Sequence, residues 1–275
     1  MTVPDLGLPT GHEQRLVAGR DASEFDDHQL ALFLAESAGR MLVKLRDEMW
    51  QRRAQSWQVM DTGDVAAHQL LMAGLAEHRP TDAILSEEGR DDRRRLSNDR
   101  VWIVDPLDGT NEYGEKGRAD WAVHVALWER GALTAGAVAL PAMELVFGTD
   151  PPVSVPPSSR ANPRLATSRW RAPYSAVVIA NALGCDALRI GSAGAKAMTV
   201  VSGDADIYVH DSGMYQWDSA APVAVAQAAG LHVSRVDGSA LVYNAADPWL
   251  PDVLICRAEL ADDVLGALQA DRRWS

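Results

Sequence analysis

Cysteine is almost missing from this 275-residue chain: Cys185 and Cys256 stand far apart and outside any Cys-x-x-Cys. That spacing excludes a disulfide framework and a thiolate zinc site, and it predicts a reducing compartment. Lysine is confined to Lys44, Lys116 and Lys196, and the 26 Lys and Arg together face 38 Asp and Glu, for a formal charge of −12. With no basic stripe to release counterions, polymeric nucleic acid and anionic lipid are excluded as principal partners. Long apolar runs are absent too. Residues 1–20 hold Pro4, Asp5, Pro9, Glu13 and Arg15 where a signal peptide needs its apolar centre, and no later run approaches a membrane span, so the reading is cytoplasmic. No pair of the seven histidines is read as a metal-ligand pair: His68 and His78 are not at i, i+4 spacing, and His124 falls inside a strand pattern. All are given structural roles. The cysteines are likewise read as small apolar residues rather than nucleophiles.

What is present is an ordinary globular composition, 47% apolar and 23% charged, enough for one large domain or two intimate halves. Phe25 to Trp50 has the spacing of a long amphipathic helix. A polar loop then leads to Asp64, and Val65, Leu70, Leu71 and Leu75 mark a second helix ending before Pro80. Ala83–Leu85 and Val101–Val104 read as short strands, each running into acidic residues. Trp121–Trp128, Leu133–Leu140 and Glu144–Phe147 read as an antiparallel meander turned by Glu129-Arg130-Gly131. The Arg-rich stretch from Asp91 to Arg100 is read as a solvated hairpin connection.

Pro151, Pro152, Pro156, Pro157 and Pro163 cannot join a sheet interior. They predict a linker over 151–163 between an N-terminal α+β domain at 25–150 and a C-terminal α/β domain at 164–275, with 1–24 as an extension. In the second half, strands at Leu165, Leu188–Ile190, Ile207–Val209 and Val253–Ile255 alternate with helices at Ala193–Val201 and Gln216–Ala229, a layered α/β pattern.

The chemistry concentrates in acidic residues at element ends. The strand Val101–Val104 presents Asp105 at its terminus, Pro106 sets a turn, Asp108 follows, Gly109 allows close backbone approach and Thr110 can open a helix. Free N–H groups at such a helix start face an anion. Glu87 and Glu88 leave another strand, Asp64 stands at a helix start, and Asp218 begins a third helical segment. An all-oxygen donor set of this kind suits Mg²⁺ or Mn²⁺ rather than zinc.

Asp105-Pro106-Leu107-Asp108-Gly109-Thr110, preceded by Ser86-Glu87-Glu88-Gly89 and followed by Trp217-Asp218-Ser219-Ala220-Ala221-Pro222, resembles the inositol monophosphatase superfamily of metal-dependent, lithium-sensitive phosphatases. Gly191-Ser192-Ala193-Gly194-Ala195-Lys196 and Asn111-Glu112-Tyr113 make it most similar to the 3'(2'),5'-bisphosphate nucleotidase branch. The resemblance spans roughly residues 25–260 and implies a layered αβαβα sandwich. It also implies hydrolysis of 3'-phosphoadenosine 5'-phosphate to AMP and phosphate, with inositol-1-phosphate or fructose-1,6-bisphosphate hydrolysis, or a catalytically silent phosphate-binding relative, as alternatives.

Carried over, Glu87, Asp105, the Leu107 carbonyl, Asp108 and Asp218 hold two or three Mg²⁺ ions, for which Mn²⁺ can substitute. Thr110 and Asp64 orient the attacking water. Substrate contacts fall to Glu87, Leu107, Asp108, Gly109, Thr110, Lys196, Asp211 and Asp218, with Tyr215 and Trp217 beside a base and Arg169 of Ser168-Arg169 beside a phosphate. Where the superfamily usually reads Val-Thr-x-Ala-Asp, this chain has Met60-Asp61-Thr62-Gly63-Asp64, so Asp61 is either an added acid or a helix cap. The partner is a small phosphorylated molecule, and a homodimer is compatible with the sequence.

Overall fold

The structure, a computed structural model, describes residues 25–158 and 160–271; the extension at 1–24 lies outside the described residues. Two long helices come first, α1 (Asp27–Gln51) and α2 (Ser56–His78). Asp26 caps α1 by accepting the Gln29 N–H at 2.8 Å, while the Gln29 side chain returns to the Asp26 N–H. α2 begins eight residues before Asp64, at a box in which Gln58 reaches back to the Gln55 N–H. Asp64 is therefore inside a helix, not at its start, and Asp61, exposed on the same helix, is no cap. The polar stretch expected to be a loop winds because glutamines supply the cap in place of Ser, Thr or Asp.

Five strands form the first sheet in the order of their numbering: β1 (Ala83–Ser86), β2 (Arg100–Asp108), β3 (Ala122–Glu129), β4 (Ala132–Leu140) and β5 (Leu145–Gly148). β1 runs parallel to β2 and the rest is the antiparallel meander the sequence predicts. The segment between β1 and β2 is not a solvated hairpin. It carries a 3-10 turn at Arg93–Ser97 whose Arg95 is buried, ion-paired to Asp91 at 2.7 Å and donating to Asn244 Oδ1 at 2.6 Å and to the Ala245 carbonyl at 2.9 Å. After β2 comes the short helix α3 (Thr110–Tyr113).

The second half supplies β6 (Arg164–Ser168), α4 (Tyr174–Leu183), β7 (Asp186–Ile190), α5 (Ala193–Val201), β8 (Ile207–His210), β9 (Met214–Tyr215), α6 (Gln216–Ala228), β10 (His232–Ser234), β11 (Trp249–Leu250), β12 (Val253–Cys256) and α7 (Ala261–Ala270). Its sheet runs β10-β12-β8-β6-β7, and β9 and β11 form a separate two-stranded ribbon.

Strand periodicity sorts the layers. Val101 and Ile103 face one side of the first sheet while Trp102 and Val104 face the other, as a period of two requires. The second side packs on α1 and α2, burying Leu30, Leu34, Leu42, Leu71 and Leu75, each worth ~2 kcal/mol of transfer from water. The first side packs on α5 and α6, which also cover Ala166, Tyr208, Val253 and Ile255 of the second sheet. On that sheet's far face Leu165, Ile207, Val209 and Leu254 meet α4 and α7. The result is a five-layer αβαβα sandwich in which one helical layer serves both sheets. Among the described residues no helix is long and apolar enough to cross a membrane.

Candidate active site

In a regular strand Asp105 and Asp108, three residues apart, would point to opposite faces. Here Asp105 pairs with His124 and Asp108 with Ala122, so three steps on β2 oppose two on β3, and the bulge brings both carboxylates to the face of the central helices. The strand thus continues through the Asp105-Pro106-Leu107-Asp108 run instead of ending at Asp105. Register carries Glu87 in as well: Ser86 pairs with Val104, so the next residue of the β1 exit lies beside Asp105, with its N–H on the Val104 carbonyl at 3.4 Å.

Asp218 comes from the first turn of α6, where Oδ2 accepts the Tyr215 N–H at 2.7 Å. Asp64 reaches in from α2, its Oδ1 3.3 Å from the Thr110 hydroxyl, which also lies 3.1 Å from the Leu107 carbonyl. Gly109, at φ 83°, caps α3 and turns the chain between Asp108 and Thr110.

The charges are strongly out of balance. Asp105 is 1% exposed. Burial first, then the neighbouring carboxylates of Glu87, Asp108 and Asp218, raise its pKa well above the ordinary range. Burial and Asp108 push Asp218 to about 7, and burial with Glu88 and Glu87 does the same to Asp64. Glu87 is raised as well, mainly by burial, although Asp105 opposes the shift. Among the described residues no lysine or arginine ion-pairs with Asp105, Glu87 or Asp218.

Asp108 is the exception. Burial favours its neutral form, but His124, whose Nε2 lies 3.3 Å from Oδ2, outweighs this and lowers its pKa; the same contact raises that of fully buried His124 against its own burial. Asp108 also accepts the Ala193 N–H at 3.2 Å and the Gly194 N–H at 2.6 Å, so it sits on the N-terminus of α5. Only glycine fits at 194, because a Cβ there would stand 2.1 Å from His124 Nε2.

Lys196 is buried, not a surface lysine. Its Nζ donates to the Gly191 carbonyl at 2.5 Å, and burial lowers its pKa against the pull of Asp108, Glu112, Asp120 and Asp218. Asp211 is tied to the first turn of α4, accepting the Ser175 N–H at 2.7 Å. Arg169 is already ion-paired to Glu112 at 2.7 Å and Glu115 at 2.6 Å. Tyr215 and Trp217 stack on each other. Burial holds the Cys185 and Cys256 thiols at about 11 and about 12, far from thiolates at neutral pH.

His124 is the site residue that sequence reading missed. Its signal was the alternation Ala122, His124, Ala126, which puts it on the face of Ile103 and Asp105, but only the pairing register reveals the neighbour.

Among the described residues, no group of three or more His, Cys, Asp and Glu side chains stands in a geometry that closes on a metal ion. The chemistry of the group nevertheless fits a hard cation: Asp105, Glu87 and Asp218 offer carboxylate oxygens and crowd one another, and the His124 imidazole is a single charge against several carboxylates.

Residues 31–269 match the sequence profile of the Inositol monophosphatase family. The 3'-phosphoadenosine 5'-phosphate phosphatase of Mycobacterium bovis (strain ATCC BAA-935 / AF2122/97) is 48% identical over 239 residues, covering 84% of this chain and 89% of that protein. That of Mycobacterium leprae (strain TN) is 46% identical over 262 residues, 90% and 95% of the two chains. Among solved structures, CysQ from Bacteroides thetaiotaomicron superposes with a TM-score of 0.70 at 24% identity over 84% of this chain and 97% of its own, a likeness of fold.

Proposed function

The chain belongs to the inositol monophosphatase family, and from that membership we propose that it is a phosphomonoesterase that hydrolyses 3'-phosphoadenosine 5'-phosphate to AMP and phosphate with magnesium as cofactor. The relatives of 46–48% identity over most of both chains support the substrate. The observation that carries the reaction class is Asp105, buried at a bulged strand end against the carboxylates of Glu87, Asp108 and Asp218, with His124 4.0 Å away as the basic neighbour.

In this reading Glu87, Asp105, the Leu107 carbonyl, Asp108 and Asp218 hold Mg²⁺, two or three ions, with Mn²⁺ able to replace it. Bound ions would offset the charge of the cluster and of the phosphate and make a water easier to ionise. The protein's own part is positioning. Asp64 takes the proton of the attacking water, which the Thr110 hydroxyl, 3.3 Å from Asp64 Oδ1, helps to orient; burial and the neighbouring Glu88 and Glu87 favour the proton on Asp64. Gly109 and Thr110 direct backbone N–H groups at the phosphate, Lys196 adds positive charge from the first turn of α5, and Asp211 serves the sugar. The protein works in the cytoplasm, as a monomer or a homodimer.

Phosphate release is to be measured with Mg²⁺ on 3'-phosphoadenosine 5'-phosphate, inositol-1-phosphate and fructose-1,6-bisphosphate. Preference for the nucleotide supports the assignment, preference for either of the others replaces the substrate, and inactivity on all three removes the enzyme. Asp105→Asn should lose at least about 100-fold in kcat, since an ion-held charge contributes several kcal/mol in the transition state.

A further inference from the structure

Glu87 stands at the exit of β1 and Asp218 in the first turn of α6, so the two come from opposite halves of the chain. The charge of Glu87 nevertheless helps to raise the pKa of Asp218. Like charges push each other apart, so these carboxylates cannot set their own spacing, and the segments that carry them must be tied together elsewhere. Arg95 makes that tie. It is 1% exposed, and its Nε and Nη2 take the Asp91 carboxylate side-on at 2.7 and 3.1 Å. Nη1 donates to Asn244 Oδ1 at 2.6 Å, and Nη2 also donates to the Ala245 carbonyl at 2.9 Å. Asp91 lies four residues beyond Glu87 on the same exit from β1.

The loop that Arg95 grips leads directly to Asp218. The Asn244 N–H donates to Gln216 Oε1 at 2.7 Å; Gln216 is the buried first residue of α6, and its own N–H donates to the Pro248 carbonyl at 2.8 Å. Beside Asn244, the Tyr243 hydroxyl lies 3.1 Å from that of Ser219, the residue after Asp218. A continuous path, Asp91–Arg95–Asn244–Gln216, therefore joins the two segments, and none of its members belongs to the carboxylate group. Withdrawing a guanidinium from water offsets much of its attraction to its partners, so what a buried arginine adds is above all direction: its planar fork fixes several acceptors at once.

We propose that Arg95 is a positioning residue for the metal site: through Asp91 and Asn244 it fixes the exit of β1 against the first turn of α6, and so sets the spacing of the Glu87 and Asp218 carboxylates before an ion binds. The inference rests on the reading of these two residues as Mg²⁺ ligands. Ligands already held at the right spacing take up an ion without being gathered first, whereas ligands free to drift apart lose affinity. A lysine at 95 keeps the charge but replaces the fork with one compact ammonium, which cannot hold Asp91, Asn244 and Ala245 together. Asn244 sits at φ 56°, a conformation glycine adopts freely, so Asn244→Gly removes the acceptor of Arg95 while keeping the backbone path and its N–H on Gln216.

The test titrates Mg²⁺ calorimetrically into wild type, Arg95→Lys, Asn244→Gly and a control, Arg257→Lys, each as the full chain, and records Tm in the presence of a chelator. Arg257 follows β12 and is likewise buried, donating to Asp206 and to the Pro156 carbonyl, both at 2.7 Å. Outer partners of metal ligands are typically worth about 10- to 100-fold in affinity, so the Mg²⁺ Kd should rise about tenfold in Arg95→Lys and Asn244→Gly. Phosphate release should need correspondingly more Mg²⁺, while kcat at saturating Mg²⁺ stays near that of wild type, because the bound ions restore the spacing. Arg257→Lys should lower Tm and leave the Mg²⁺ Kd unchanged. Asn244→Gly, the milder change, decides alone where Arg95→Lys does not fold. An unchanged Mg²⁺ Kd with a lowered Tm, or a Kd that rises as much in Arg257→Lys, overturns the positioning role. Wild type that binds no Mg²⁺ would instead remove the metal assignment itself, and the inference with it.

Discussion

Asp108 and His124 form a buried ion pair, 3.3 Å between Oδ2 and Nε2, across adjacent strands of the first sheet. Both shifts agree: the carboxyl is held down by the imidazole and the imidazole is held up by the carboxylate. Breaking a buried pair from one side costs more than the pair contributes, because a charge remains without its partner. His124→Ala should lower stability by about 3 kcal/mol, a fall in Tm of roughly 6–12 °C in a chain of this size, read by calorimetry. A variant as stable as wild type would mean that Asp108 is adequately held by the α5 amides alone.

Gly194→Ala tests the same junction from the helix side. A methyl group 2.1 Å from the imidazole cannot be accommodated without moving α5 or His124. The expected cost is about 1–3 kcal/mol, accompanied by a drop in phosphatase activity, whereas Gly266→Ala, in open space on α7, should be neutral in both.

For Asp64 the expected signature is kinetic. Asp64→Asn keeps the size and the contact with Thr110 but cannot take up a proton. It should lower kcat by about 10²- to 10⁴-fold, with Mg²⁺ affinity from titration calorimetry within a few-fold of wild type. A matching loss of Mg²⁺ binding would make Asp64 a ligand of the ion instead.

The pH dependence of the ion-free protein follows from the raised carboxyl groups. Asp64 and Asp218 hold protons up to about 7 in the folded chain, against an ordinary value near 3.8. Between those limits the folded state binds more protons than the unfolded state, so stability falls as pH rises. With a chelator present, Tm should be higher at pH 5 than at pH 8. Saturating Mg²⁺ should shrink or reverse that difference by raising Tm at pH 8; an identical pH trend with and without Mg²⁺ would separate the ion from this cluster.

Much of this was readable beforehand, for reasons that can be named. Period-two strands and period-3.6 helices gave the layers, because each apolar face is written locally in the chain, as in Val101-Trp102-Ile103-Val104. The acidic hexapeptide stood out because so many special residue types fall together. What escaped notice depends on distance along the chain or on an unusual cap. Arg95 looked solvated because its partners Asn244 and Ala245 are some 150 residues away. His124 looked structural because strand spacing says which face a residue takes but not what lies across from it. The start of α2 was misread because Gln55 and Gln58 close a box usually made by shorter polar side chains.

The grip of Asp108 on the first amides of α5 has a consequence for the helix itself. Those two N–H groups, left without a partner by the helix, are already filled by an anion that belongs to the chain. This end of α5 is therefore capped from within: a carboxylate 85 residues upstream of Ala193 closes it, and the helix dipole helps to keep that carboxylate ionised.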